Sequence, residues 1–135
     1  MGCFRRQGIR DAMYHILVID DEKMILDVIH TVLSRAGFKV EIALDGREGI
    51  QKFDTGRFDL VLTDILMPVI DGREVVEHIR NSDRPCTPII GMSGTPWLFE
   101  NIRFDAFFEK PFPLKNLVNS IRHLSMQVGP DCDLI

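Results

Sequence analysis

Cysteine is scarce in this 135-residue chain: Cys3, Cys86 and Cys132 stand far apart, form no CxxC pair and have no nearby histidine to complete a metal site. That odd, widely spaced set does not suggest zinc, and a reduced, cytoplasmic setting is expected. No apolar run reaches the length of a bilayer span, and residues 1–12 lack the apolar centre of a secretory signal, so neither a membrane helix nor export is expected. The opening Met1-Gly2-Cys3 is no acylation signal, because Arg6 stands where that motif requires Ser or Thr. Excess positive charge is missing as well. With 16 basic and 20 acidic residues the net charge is −4, which argues against nucleic acid or an anionic membrane as a direct partner. There is no internal repeat and no low-complexity tract. What remains, 45% hydrophobic and 27% charged residues, fits one soluble domain with its own core, needing no disulfide or metal to hold it together.

Charge is uneven in one place. Arg5, Arg6 and Arg10 against Asp11 give residues 1–12 a local +2, leaving −6 for the rest. This segment is polar and aperiodic and reads as a flexible extension, followed by a domain over 13–128 and a tail over 129–135. Within the domain, short apolar runs alternate with amphipathic stretches. Ile16-Leu17-Val18-Ile19 reads as a strand, and Lys23 to Ala36 as a helix with Ile25, Leu26, Ile29, Val32 and Leu33 at helical spacing before Gly37. Lys39 to Ala43, Asp59 to Asp64, Pro88 to Met92 and Asp105 to Glu109 are the other predicted strands. Asp45 to Thr55, Gly72 to Asn81 and a stretch marked by Leu114, Leu117, Val118, Ile121 and Leu124 are the other helices. Strands apolar on both faces, each followed by a crossover, imply an α/β fold: a doubly wound five-stranded parallel sheet. The flavodoxin-like order 2-1-3-4-5 is the natural one for right-handed crossovers.

Ligands in such sheets sit beyond the carboxyl ends of the strands. Those ends carry Asp20-Asp21, Asp64, Ser93 and Lys110-Pro111. Three carboxylates at one edge repel unless a cation joins them or a pKa rises. Oxygen-only ligands suit a hard divalent ion, and carboxylates with water and a phosphoryl oxygen are a common Mg2+ arrangement. Lys110 offers a point charge and Ser93 a hydroxyl donor to phosphoryl oxygens. Asp64, ending the middle strand, is the candidate nucleophile. Any one of these aspartates alone could simply cap a turn, but five groups at four strand ends are hard to dismiss on that ground.

These residues resemble the receiver domains of two-component response regulators. The likeness rests on Ile19-Asp20-Asp21-Glu22, the run from Asp64 through Met67-Pro68 to Asp71-Gly72, Ser93 followed by Gly94, and Lys110-Pro111, and it covers about 115 residues from Met13 to Gln127. It implies that Asp64 accepts a phosphoryl group from a phosphohistidine on a sensor histidine kinase or phosphotransfer protein. It further implies that Asp21, Asp64 and the Leu66 carbonyl hold Mg2+, with Asp20 acting through water. Ser93 and Lys110 would bind phosphoryl oxygens, and Phe107 would be the aromatic switch. A protein of this kind signals through contact with a target protein, catalyses only its own phosphoryl transfer and dephosphorylation, and is no enzyme towards a separate substrate.

The chain departs from the family between Ser93 and Lys110, where 16 residues leave little room for a helix beyond Trp97 to Arg103. A short, irregular or absent fourth helix is expected. That weakens the case for a dimer built on this face and favours a monomer or weak dimer. Trp97, Phe99, Phe104, Phe107, Phe108 and Phe112 crowd the same stretch. They read either as core packing or as an exposed patch for a kinase or target anchored by Trp97 and Phe99. Leu66, two residues past Asp64, is too apolar to position an attacking water, so slow self-dephosphorylation is expected. His15, His30, His78 and His123 have no metal spacing and read as solvated or helix-surface residues. Three rival readings are weighed. A phosphatase with an Asp nucleophile would need a D-x-D pair that is absent. A flavin-binding domain would need a phosphate cradle where Asp20-Asp21-Glu22 is acidic. A receiver-like module that is never phosphorylated would have no use for all five site groups. The short tail after the last helix leaves no visible effector, so output through a partner or a relay is expected.

Overall fold

The computed structural model describes residues 13–95 and 102–126. The extension over 1–12, the segment 96–101 with Trp97 and Phe99, and everything from 127 onward lie outside the described residues. The elements in chain order are β1 (His15–Ile19), α1 (Lys23–Arg35), β2 (Lys39–Ala43), α2 (Gly46–Thr55), β3 (Leu60–Asp64), α3 (Gly72–Arg80), β4 (Ile89–Ser93), β5 (Ala106–Glu109) and α4 (Leu114–Met126). The five strands form one parallel sheet in the order β2-β1-β3-β4-β5, as the alternation of apolar runs and amphipathic stretches predicts.

Successive strand residues point to opposite faces, and each face is covered by its own helices. Ile16 and Val18 of β1, Leu60 and Leu62 of β3, and Ile90 and Met92 of β4 meet Leu26, Ile29 and Leu33 of α1 and Leu117 and Ile121 of α4. On the other face Leu17, Ile19, Val61 and Ile89 meet Phe53 of α2 and Val75, Val76 and Ile79 of α3. Each such fully buried side chain contributes about 1.5–3 kcal/mol. These are the apolar positions at strand and helix spacing in the sequence, which is why the order of elements could be read there.

Local signals set the helix ends. Asp45 accepts from the Glu48 N–H at 2.8 Å, and Asp71 accepts from the Glu74 N–H at 3.2 Å, so α2 and α3 each begin on a capping aspartate. Gly37, at φ 101°, ends α1 as expected, with the Phe38 N–H donating back to the Leu33 carbonyl.

Register then fixes the edge that matters. Ile19 pairs with Ala43 and Thr63, Asp64 with Met92, and Ser93 with Glu109. The carboxyl ends of β1, β3, β4 and β5 are therefore level, and Asp20, Asp64, Ser93 and Lys110 arrive at one edge.

Among the described residues no helix lies between β4 and β5. Residues 102–105 run without regular structure, and Ile102 and Phe104 pack on the α2/α3 side of the sheet. Gly91 makes this possible: a Cβ there would stand 2.6 Å from the Phe104 ring. Phe104 thus covers this part of the sheet. Phe108 and Phe112, stacked at 5.0 Å, serve the opposite face, so these aromatics are packing residues.

Two expectations fail. His15 is no solvated surface residue. Its ring lies 4.5 Å from that of Phe58, and Nε2 stands 3.0 Å from a Glu41 carboxylate oxygen, near enough to attract it but outside hydrogen-bond geometry. The parallel pairing of β1 with β2 brings the two together, which the distance along the chain does not reveal. Cys86, expected to be reduced, is disulfide-bonded.

Candidate functional site

β1 delivers Asp20 directly after its last residue, with the Asp20 N–H donating to the Ala43 carbonyl of β2 at 3.1 Å. Asp20 is fully buried. One carboxylate oxygen accepts the Glu22 N–H at 2.9 Å and the other lies 3.1 Å from Lys110 Nζ. Asp64 closes β3 and is 6% exposed, with Oδ1 3.3 Å from the same Nζ. Asp21 is exposed, and one oxygen from each of Asp20, Asp21 and Asp64 lies within 4.8 Å of the others. Lys110, directly after β5, bridges the two buried carboxylates, and its main-chain N–H donates to the Ser93 carbonyl at 2.9 Å. Sequence reading assigned no role to Glu22, yet its Oε1 lies 3.7 Å from Lys110 Nζ. Its position beside the acidic pair was the available signal.

The loop after β3 is held close under Asp64. The Ile65 N–H donates to the Met92 carbonyl at 3.1 Å and the Gly72 N–H donates to the Ile65 carbonyl at 2.7 Å. Gly72 packs so near that a Cβ would sit 2.7 Å from the Asp64 carbonyl oxygen, which accounts for glycine at the start of α3. Leu66 lies in this loop and is 60% exposed.

Electrostatics follow from burial. Desolvation, and then the Asp20 charge, push the Asp64 carboxyl up to about 6 against the pull of Lys110. Burial likewise raises Asp20, partly offset by the Glu22 N–H and Lys110. Burial works to lower Lys110, but the Asp64 and Asp20 carboxylates outweigh it and raise its pKa. Three carboxylates thus face one ammonium, and the excess negative charge is unfavourable until a cation joins them. An all-oxygen donor set of this size fits Mg2+ with water in the remaining positions.

Ser93 ends β4 and is buried, its Oγ engaged by Thr95. Phe107, half-buried on β5, pairs in register with Gly91, and its ring lies 5.4 Å from that of Phe104. Asp20, Asp21, Asp64 and Lys110 therefore converge. Ser93 and Phe107 stand on adjoining strands, Phe107 two register positions short of Ser93, while Trp97 and Phe99, named as interaction anchors, lie outside the described residues. Among the described residues no helix is long and apolar enough to cross a membrane.

Comparison with known proteins agrees with this geometry. The transcriptional regulatory protein DltR of Streptococcus agalactiae is 33% identical over 112 residues, covering 79% of this chain and 50% of the relative. The transcriptional regulatory protein TrcR of Mycobacterium tuberculosis is 32% identical over 114 residues, covering 81% and 44%. The chain thus spans about half the length of these relatives. Among solved structures, the response regulator protein TrrA from Thermotoga maritima, in complex with Mg2+-BeF, superposes with a TM-score of 0.77 at 31% identity, covering 83% of this chain and 99% of that one. The chemotaxis protein CheY4 of Vibrio cholerae gives a TM-score of 0.76 at 29% identity, covering 84% and 99%. The family profile described as the response regulator receiver domain matches residues 16–122, and with the five-stranded fold and the acidic edge in place, this chain belongs to that family.

Proposed function

We propose that the chain is a phosphorylation-dependent signalling switch or relay that takes a phosphoryl group onto Asp64. The observation that carries this reading is the position of Lys110 Nζ, 3.1 Å from Asp20 and 3.3 Å from Asp64, with Asp21 completing an oxygen cluster suited to a divalent cation. An Asp64 oxygen attacks the phosphorus of a phosphohistidine; the new P–O bond forms as the P–N bond breaks, and the departing imidazole nitrogen takes up a proton from solvent. Lys110 neutralises charge on the transferred group, and the Ser93 hydroxyl donates to one of its oxygens. Asp21 and Asp64 with the Leu66 carbonyl would hold Mg2+ directly, with Asp20 acting through water. The ion supplies charge compensation between the carboxylates and the phosphoryl oxygens.

The phosphoryl donor in this reading is a sensor histidine kinase or phosphotransfer protein. The product is an acyl phosphate carrying nearly two negative charges where the carboxylate carried one, and the consequence is a changed surface offered to a target protein. The chain turns over no separate substrate. The likeness to a receiver solved with Mg2+-BeF supports both the cation and the phosphoryl site. Incubation with acetyl phosphate and Mg2+, read by intact mass, tests the proposal. Wild type should gain one phosphoryl group and Asp64→Asn none; equal uptake by both would overturn it.

A further inference from the structure

Two groups are placed to bind the phosphoryl oxygens, and they stand in different conditions. Lys110 already reaches Asp64, whereas Ser93 is held by its own loop. Its Oγ accepts the Thr95 N–H at 3.0 Å and lies 3.2 Å from Thr95 Oγ1. Ser93 is 1% exposed, so no bulk water competes for that hydroxyl. A serine hydroxyl has one proton to give. Either hydroxyl can donate in the contact with Thr95 Oγ1; in both senses it ties Ser93 Oγ to Thr95, and completing the site around a phosphoryl oxygen on Asp64 requires that contact to be exchanged. Gly94, between them, has open space where a Cβ would be.

We infer that Thr95 is a positioning residue that latches the Ser93 hydroxyl in the unphosphorylated state and so sets how readily the site accepts and retains a phosphoryl group. This rests on the phosphoryl-acceptor reading of Asp64. Thr95 acts through Ser93, the residue it holds. Its backbone N–H holds Ser93 whatever the side chain is, so only the hydroxyl is adjustable by substitution. Thr95→Val removes that hydroxyl at nearly constant shape, and Thr95→Ser retains it.

The test measures beryllofluoride binding in the presence of Mg2+, Mg2+ binding alone, and the rate of phosphoryl uptake from acetyl phosphate. Thr95→Val should bind beryllofluoride about fivefold more tightly and take up phosphoryl groups correspondingly faster, the scale of one exchanged hydrogen bond. Thr95→Ser should match wild type, and the Mg2+ affinity of all three should agree, since the carboxylates are untouched. Unchanged or weaker beryllofluoride binding by Thr95→Val with normal Mg2+ affinity would overturn the latch. Loss of Mg2+ affinity in Thr95→Val would also overturn it, in favour of a general structural role. If wild type itself bound no beryllofluoride and took up no phosphoryl group, the failure would lie with the phosphoryl-acceptor reading.

Discussion

Asp64 combines two demands that conflict: burial at the end of a central strand and a negative charge. With its carboxyl raised to about 6, the folded chain holds a proton there that the unfolded chain releases near 3.8. Its contribution to stability is therefore fully present below about pH 4 and is lost as pH rises through 6. In EDTA, Asp64→Asn should match wild type in urea unfolding near pH 4 and exceed it by ~3 kcal/mol at pH 7. A gain that is the same at both pH values would contradict this origin. Leu66 bears on lifetime. Its exposed apolar side chain cannot hold an attacking water, so in Leu66→Asn the acyl phosphate should decay several-fold faster once donor is removed, measured by intact mass over time. The acidic pair, Asp64 and Lys110 were legible as residues because strand ends were legible. The Lys110 contact with Glu22 and the hold of Thr95 on Ser93 were not, since both depend on side-chain placement within loops that periodicity does not describe.

The β3–α3 loop is the element that shapes the site, and it contains a strained position. Val69 has φ 68°, in the left-handed region where a β-branched residue is unfavourable, and it is 83% exposed, with little packing to compensate. Val69→Gly should stabilise the fold by ~1 kcal/mol in chemical denaturation, the relief of the left-handed conformation exceeding the entropy cost of glycine. A loss of stability would mean that Val69 contributes contacts worth more than its strain. Nothing in the sequence marked this position, because an exposed valine after proline carries no sign of its φ. Strands and helices were predicted to within a residue or two, because burial on both sheet faces imposes period on the sequence. The short, irregular or absent fourth helix expected around Trp97 to Arg103 falls mostly on 96–101, outside the described residues; the flanks 94–95 and 102–105 carry no helix. There Gly91 and Phe104 fit together in a way that composition alone hid.

At the scale of the whole molecule, the net charge of −4 includes three carboxylates gathered at one sheet edge, so stability and cation binding are linked. Mg2+ at a hundredfold above its Kd should raise the unfolding free energy by about 2.7 kcal/mol at neutral pH. The same ionic strength supplied as NaCl should do far less, and Asp64→Asn should respond less than wild type. Equal effects of the two salts would leave only screening. The two packed faces hold the sheet while the edge stays open to a cation and an anionic donor, which is what a phosphoryl-accepting switch requires. The most direct test of Asp64 as acceptor is to phosphorylate the intact chain with acetyl phosphate and Mg2+, reduce the acyl phosphate with borohydride and map the product by peptide mass spectrometry. Reduction should convert position 64 alone to homoserine, and only when Mg2+ is present; homoserine at position 20 or 21, or none at all, would contradict it.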